Sequence, residues 1–344
     1  MSRKISHSLI NGRTGAGTAG QGLKVEWDST NDGELHWMDV DESTLEAPIP
    51  QIWYGGRGIW AGGQIDGRSD VIEYVTISTT SNTTDFGNLT DSRVYVVGIS
   101  NGSRGVFAGG EAAYSAIINN IDYITISTTG NATDFGDLSQ SRDSSGSAAD
   151  STYGLIAGGN TGSAVNTIDY ITFSTTGNAT DFGDLSVARK NMMGGVSSGT
   201  YGIFGGGAAT DNTRYNVIDY VTIATAGNAT DFGNLTLARR FAGSCSDTTR
   251  GIWGGGHDGS NYSNIIDYIT MATTGNATDF GDLTVTRHAL SACSDATKGC
   301  FGGGHTGSAR SNVIDYVTIA TTGNATDFGD LVIGRHHPAS TSGD

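Results

Sequence analysis

The chain has 344 residues, of which 53 are glycine and only 3 proline, and its formal net charge is −16. Such acidity argues against nucleic acid as a partner, because a nucleic-acid footprint needs a basic stripe. No apolar run approaches the roughly 20 residues of a membrane span, and the segment after Met1 lacks the hydrophobic core of a secretory signal. Cys245, Cys293 and Cys300 are too few for a disulfide framework; free thiols are expected, with Cys293 and Cys300 able to face each other across a hairpin.

Residues 1–50 stand apart from the rest. A glycine-rich opening, Asn11–Gly22, leads into two alternating runs within Leu23–Trp37 that flank Asn31-Asp32-Gly33. Asp-Gly supplies positive φ at a tight turn, so the pattern predicts a β-hairpin with Trp27 and Trp37 near one another. A unit this small buries little by itself and calls for a partner or further copies of itself. Trp27 and Trp37 are therefore the candidate attachment residues. The stretch up to Pro48 and Pro50 reads as a linker.

From residue 51 to 344 the chain is a sixfold repeat. Its tyrosine recurs at Tyr74, Tyr123, Tyr170, Tyr220, Tyr268 and Tyr316, its phenylalanine twelve residues later and its arginine seven after that. A period near 50 residues points to an array or a propeller. Each copy parses into four short strands, exemplified by Phe241–Ser246, the G-I-W-G-G-G run 251–256, the I-I-D-Y-I-T-M run 265–271 and the D-F-G-D-L run 279–283. The expected fold class is all-β: a six-bladed propeller with four antiparallel strands per blade, plus the small N-terminal hairpin. The first copy begins at its second strand. Arg335–Asp344 starts like a first strand, and donating it to the first blade would close the ring; Gln51–Tyr54 is the competing donor.

Two resemblances bear on function. A strand ending in a glycine doublet (Gly62-Gly63 and its equivalents), then the tyrosine, the aromatic and the arginine, resembles the kelch repeat over roughly residues 57–344. The kelch pattern normally has tryptophan where all six copies have phenylalanine, as at Phe86. The resemblance implies architecture, since kelch propellers host binding modules and enzymes alike. The second covers about twenty residues: Gly17 to Leu23 with Gly33, Leu35 and Trp37 is similar to a motif of bacteriophage tail fibres and other virion proteins. It implies a virion location, with the N-terminal segment bound to other virion proteins and the propeller projecting outward.

A residue repeated in every blade serves blade geometry, whereas a site breaks the symmetry. By that test Arg93, Arg142, Arg189, Arg239, Arg287 and Arg335 are structural. So are the acids of I-D-Y (Glu73, Asp122, Asp169, Asp219, Asp267, Asp315) and those of T-D-F-G. The G-N-A-T sequons, as at Asn131, read as hairpin turns using positive φ. Asymmetry lies in the loops between the second and third strands. Tyr114, Arg214, Tyr215, His257, Tyr262, His305 and Arg310 are the candidate ligand-binding residues there. His257 and His305 follow the glycine run in adjacent copies, but nothing in their spacing makes a metal site. No catalytic residue, metal or cofactor is expected. The expected partners are virion proteins and a host-surface carbohydrate or protein, with neither nucleic acid nor membrane insertion, and with homo-oligomers on the particle. The competing readings are a bracing virion component that recognises nothing on the host and, further off, a carbohydrate-active or oxidising kelch enzyme.

Overall fold

The computed structural model describes residues 55–343 apart from residue 193, together with the strand backbones Leu23–Trp27 and Leu35–Asp39. The chain divides into two compact units, Met1–Ile49 and Pro50–Asp344. In the first, the two strands pair antiparallel, with Trp27 aligned with Leu35 and Trp37 with Val25. The Asn31-Asp32-Gly33 turn, the prolines of the linker and the alternative donor at 51–54 lie outside the described residues.

The second unit is a β-propeller of six four-stranded antiparallel sheets. Blades 2 to 6 span residues 97–137, 146–184, 195–234, 243–282 and 291–330. Blade 1 combines 57–88 with the C-terminal strand Ala339–Gly343, which pairs antiparallel with Arg57–Ala61. The ring is therefore closed by joining the two ends of the repeat region.

The same local chemistry builds every blade. The second strand is apolar after its first residue because it is covered on both faces; Gly299–Gly302, for example, is wholly buried. In the third strand the isoleucine and the acid after it are both buried, and in every blade the register slips between them, as at Ile314/Asp315. That slip leaves the phenylalanine of D-F-G as the extra residue of a β-bulge. Its ring then meets the repeat tyrosine edge-on, at 5.8 Å for Tyr268–Phe280 and 6.0 Å for Tyr316–Phe328.

The cores lie between blades. One such cluster joins Val97, Phe135 and Leu138 of blade 2 to Ile156, Ile171 and Phe173 of blade 3, and five others repeat the plan. Inner-strand side chains press on the first glycine of the neighbouring second strand. A Cβ on Gly58 would come within 2.6 Å of Cys293 Sγ, and one on Gly299 within 2.6 Å of Cys245 Sγ. The three thiols are buried and free, and Cys293 is the register partner of Cys300.

Polar links complete each blade interface. The buried arginine and the I-D-Y acid pair at 2.6 Å for Arg93–Asp122 and 3.0 Å for Arg287–Asp315. Arg287 also donates to the carbonyls of Phe301, Gly303 and Val313, so one guanidinium ties the second and third strands together. The other carboxylate oxygen accepts from a hydroxyl of the preceding blade, Thr284 to Asp315 at 2.6 Å.

The G-N-A-T turns differ from expectation. None of their asparagines has positive φ. Asn324 Oδ1 instead accepts the Asp282 amide of the preceding blade at 3.1 Å, and Asn131 accepts that of Asn88 at 3.1 Å. These asparagines are inter-blade clamps.

Candidate functional site

Antiparallel strands put the turns between strands two and three on the same face as the links from one blade to the next. On that face two segments bridge: the residue after the repeat arginine meets the residue after the glycine doublet. The pairs are Val94–Glu111, Asp143–Asn160, Lys190–Ala208, Arg240–His257, His288–His305 and His336–Gln64.

The following residue has a left-handed backbone in every blade, with φ between 53° and 61° at Tyr95, Ser144, Asn191, Phe241, Ala289 and His337. That region costs an ordinary L-residue about 1–2 kcal/mol. Backbone bonds between neighbours hold it, among them Ala289 N–H to Phe241 O and His337 N–H to Ala289 O, both 2.7 Å. Its recurrence makes the conformation a property of the fold. The side chain carried there belongs to each blade separately.

Five of these residues, all but Asn191, form a collar at a central channel of about 210 Å3, which the six inner strands line. Rings from three blades meet in the collar. His337 lies 4.2 Å from Tyr95 and 4.5 Å from Phe241, centroid to centroid. The cluster continues outward through His288, His305 and His336 to the loop of blade 5, where Tyr262 stacks on His288 at 4.5 Å and 10° and His257 lies 5.1 Å from Tyr262. Burial pushes the His288 and His336 imidazoles down to about 4 and His337 well below its usual range. His257 is lowered by burial and then by the charges of Arg240 and Arg214. At neutral pH these four rings are uncharged, polar and stackable.

Of the seven candidate loop residues, His257, Tyr262 and His305 join this cluster. Arg214 reaches over from blade 4: a Cβ on Gly259, in the same loop as His257, would lie 3.3 Å from its guanidinium carbon. Arg310 pairs with Asp66 of blade 1 at 3.2 Å. Tyr215 is half-buried at the root of its loop, where its carbonyl accepts the Arg239 amide. Tyr114 stands apart and fully exposed, on a short hairpin of blade 2 (Glu111–Ala112 with Ala116–Ile117). Trp27 and Trp37 belong to the first unit, and of their side chains nothing is described.

Sequence reasoning missed Tyr95, Arg240, Phe241, His288, His336 and His337. They directly follow the repeat arginine and so looked like the start of the first strand. A signal was present: those two positions read V-Y, D-S, K-N, R-F, H-A and H-H in successive copies, directly after an invariant arginine.

Among the described residues no group of three or more His, Cys, Asp or Glu side chains is arranged to hold a metal ion. The histidines meet through their ring faces and edges. The face offers aromatic surface, neutral imidazoles and, among the described residues, two guanidinium groups without a carboxylate partner. No protein-family model matches the chain, and no curated protein is significantly similar to it in sequence.

Proposed function

We propose that this six-bladed propeller is a kelch-like, non-enzymatic binding module of a bacteriophage virion, a tail or fibre component whose loop face engages a host-surface glycan or protein. One observation carries the binding role. The arginine and the I-D-Y acid of every repeat are buried and consumed between blades, whereas the aromatic, imidazole and guanidinium groups of blades 4, 5, 6 and 1 gather on one face. A rigid symmetric scaffold with one asymmetric face is how binding loops are usually carried. The virion assignment is supported by the likeness of residues 17–37 to virion motifs, with that segment docking onto other virion proteins. Several copies on a particle would turn weak single contacts into firm attachment.

A bracing role is favoured by Val332, Ile333 and Val285, exposed in the links between blades. Saturable binding of the full chain, clustered as a multimer, to bacterial cells separates the two. Binding that falls about tenfold or more in His257→Ala with Tyr262→Ala, and not in Thr248→Ala on the opposite face, supports recognition. A folded multimer that binds no cell across a broad host panel leaves the bracing role.

A further inference from the structure

We propose that the seam between blades 4 and 5 holds the anionic group of an acidic saccharide on Arg214 and Arg240, with the sugar ring against the adjoining aromatic cluster. This deepens the binding-face reading and rests on it. In a chain of net charge −16, two half-buried guanidinium groups stand together at this seam. Arg240 Nη1 donates to Asn212 Oδ1 at 2.9 Å, and Arg214 Nη1 donates to the Asn212 carbonyl, so one residue anchors both. Among the described residues neither is ion-paired, in contrast to Arg68 and Arg310 on the same face. Each repels the other, and burial together with the Arg214 charge lowers the Arg240 pKa.

The acids alongside bond within their own turns, and among the described residues neither forms an ion pair with these arginines. Asp211 accepts the Thr213 amide, and Asp258 accepts the amides of Ser260 and Asn261 at 2.7 Å. Arg214 Nε, Arg240 Nε and His257 Nδ1 have no hydrogen-bond partner among the described residues, as is also true of Nε in the six repeat arginines. Paired guanidinium groups match the planar fork of a carboxylate or the oxygens of a phosphate. Immediately beside them lie Phe241, which Arg240 overlies at 5.1 Å, and the His257–Tyr262–His288 rings. A flat aromatic group next to a cationic one suits the apolar face of a pyranose that carries a charge. Arg310, by contrast, has its own carboxylate, and among the described residues Tyr114 takes part in no ring pair of the cluster.

The carboxylate of a uronic or sialic acid and the phosphodiester of a teichoic-type polymer present the same chemistry, so the test uses both. The full chain is titrated with oligogalacturonate, oligosialic acid, an oligosaccharide of hexoses joined by phosphodiesters, and carboxyl-reduced oligogalacturonate as the neutral counterpart. At least one charged probe should bind more tightly than the neutral one and weaken as salt is raised. Its affinity should fall about tenfold in Arg214→Gln and in Arg240→Gln, both melting like the parent, and be unchanged in Thr248→Ala. The probe preferred identifies carboxylate or phosphate as the group. Equal binding of the neutral probe, no binding of any charged probe, or unaltered affinity in both arginine variants overturns the proposal. The same variants on cells keep the two readings separate. Undiminished cell binding by both arginine variants sinks the acidic-saccharide site while leaving recognition standing. Charged-probe binding without cell binding does the reverse.

Discussion

At the scale of the residue, each of the six blade interfaces encloses a buried ion pair beside its apolar core. Arg287 is fully buried, donates to three carbonyls and meets Asp315, which in turn takes the amide and hydroxyl of Thr284. Removing one partner of such a pair strands the other charge, at a cost of about 3–5 kcal/mol. Asp315→Asn should therefore lower the melting temperature by about 6–10 °C for a domain of this size. The blade 5 copy is looser. Arg239 and Asp267 are 3.1 Å apart, Arg239 Nη1 and Asp267 Oδ2 lack hydrogen-bond partners, and burial raises the Asp267 pKa. Asp267→Asn should cost clearly less than Asp315→Asn in the same calorimetric scan; equal losses would contradict this account of the pairs. The structural role of these arginines was legible in the sequence from their invariance. The departure at Glu73 was not explained there. Where five links supply Thr or Ser, the sixth has Val332, and the longer Glu73 takes the hydroxyl of Thr83 and the Val332 amide instead.

At the scale of the element, the blades are separable sheets joined by repeated contacts, so closure decides whether they act as one body. Ser340 of the C-terminal strand donates to the Ala292 carbonyl of blade 6, and Ser100 of blade 2 donates to the Ser342 carbonyl, so that strand is tied on both sides. Deleting residues 338–344 exposes the Arg57–Ala61 edge and the flank of two blades. The truncated protein should melt at least about 10 °C lower and lose cooperativity, read by circular dichroism. A melt like that of the full chain would mean the ring does not depend on this strand. The four strands per copy were readable because glycine, aspartate and asparagine punctuate them so regularly. The bulge at D-F-G and the Asn clamps were not readable. Both are set by the neighbouring blade: a Cβ on Gly281 would lie 2.4 Å from the Gly323 carbonyl oxygen, a contact no single copy contains.

At the scale of the whole molecule, symmetry and its breaking divide the labour. The invariant residues make a stiff ring, and what varies is brought to one face by the alternation of strand directions. The variable loops were recognisable as the place to look, and His257, Tyr262 and His305 do meet. The far side of the cluster escaped also because it is assembled across the closure: Tyr95 and His337 are 242 positions apart, yet their rings lie 4.2 Å from each other. Only ring closure puts the end of the repeat beside its beginning. The most direct test of the claim that this face is the binding face is amide hydrogen exchange of the full chain, free and saturated with envelope fragments from cells that the multimer binds. Protection is expected at residues 208–215, 240–242, 256–262 and 304–311, with the turns at 247–250 and 295–298 on the opposite face unchanged. Protection confined to those opposite turns would contradict the account.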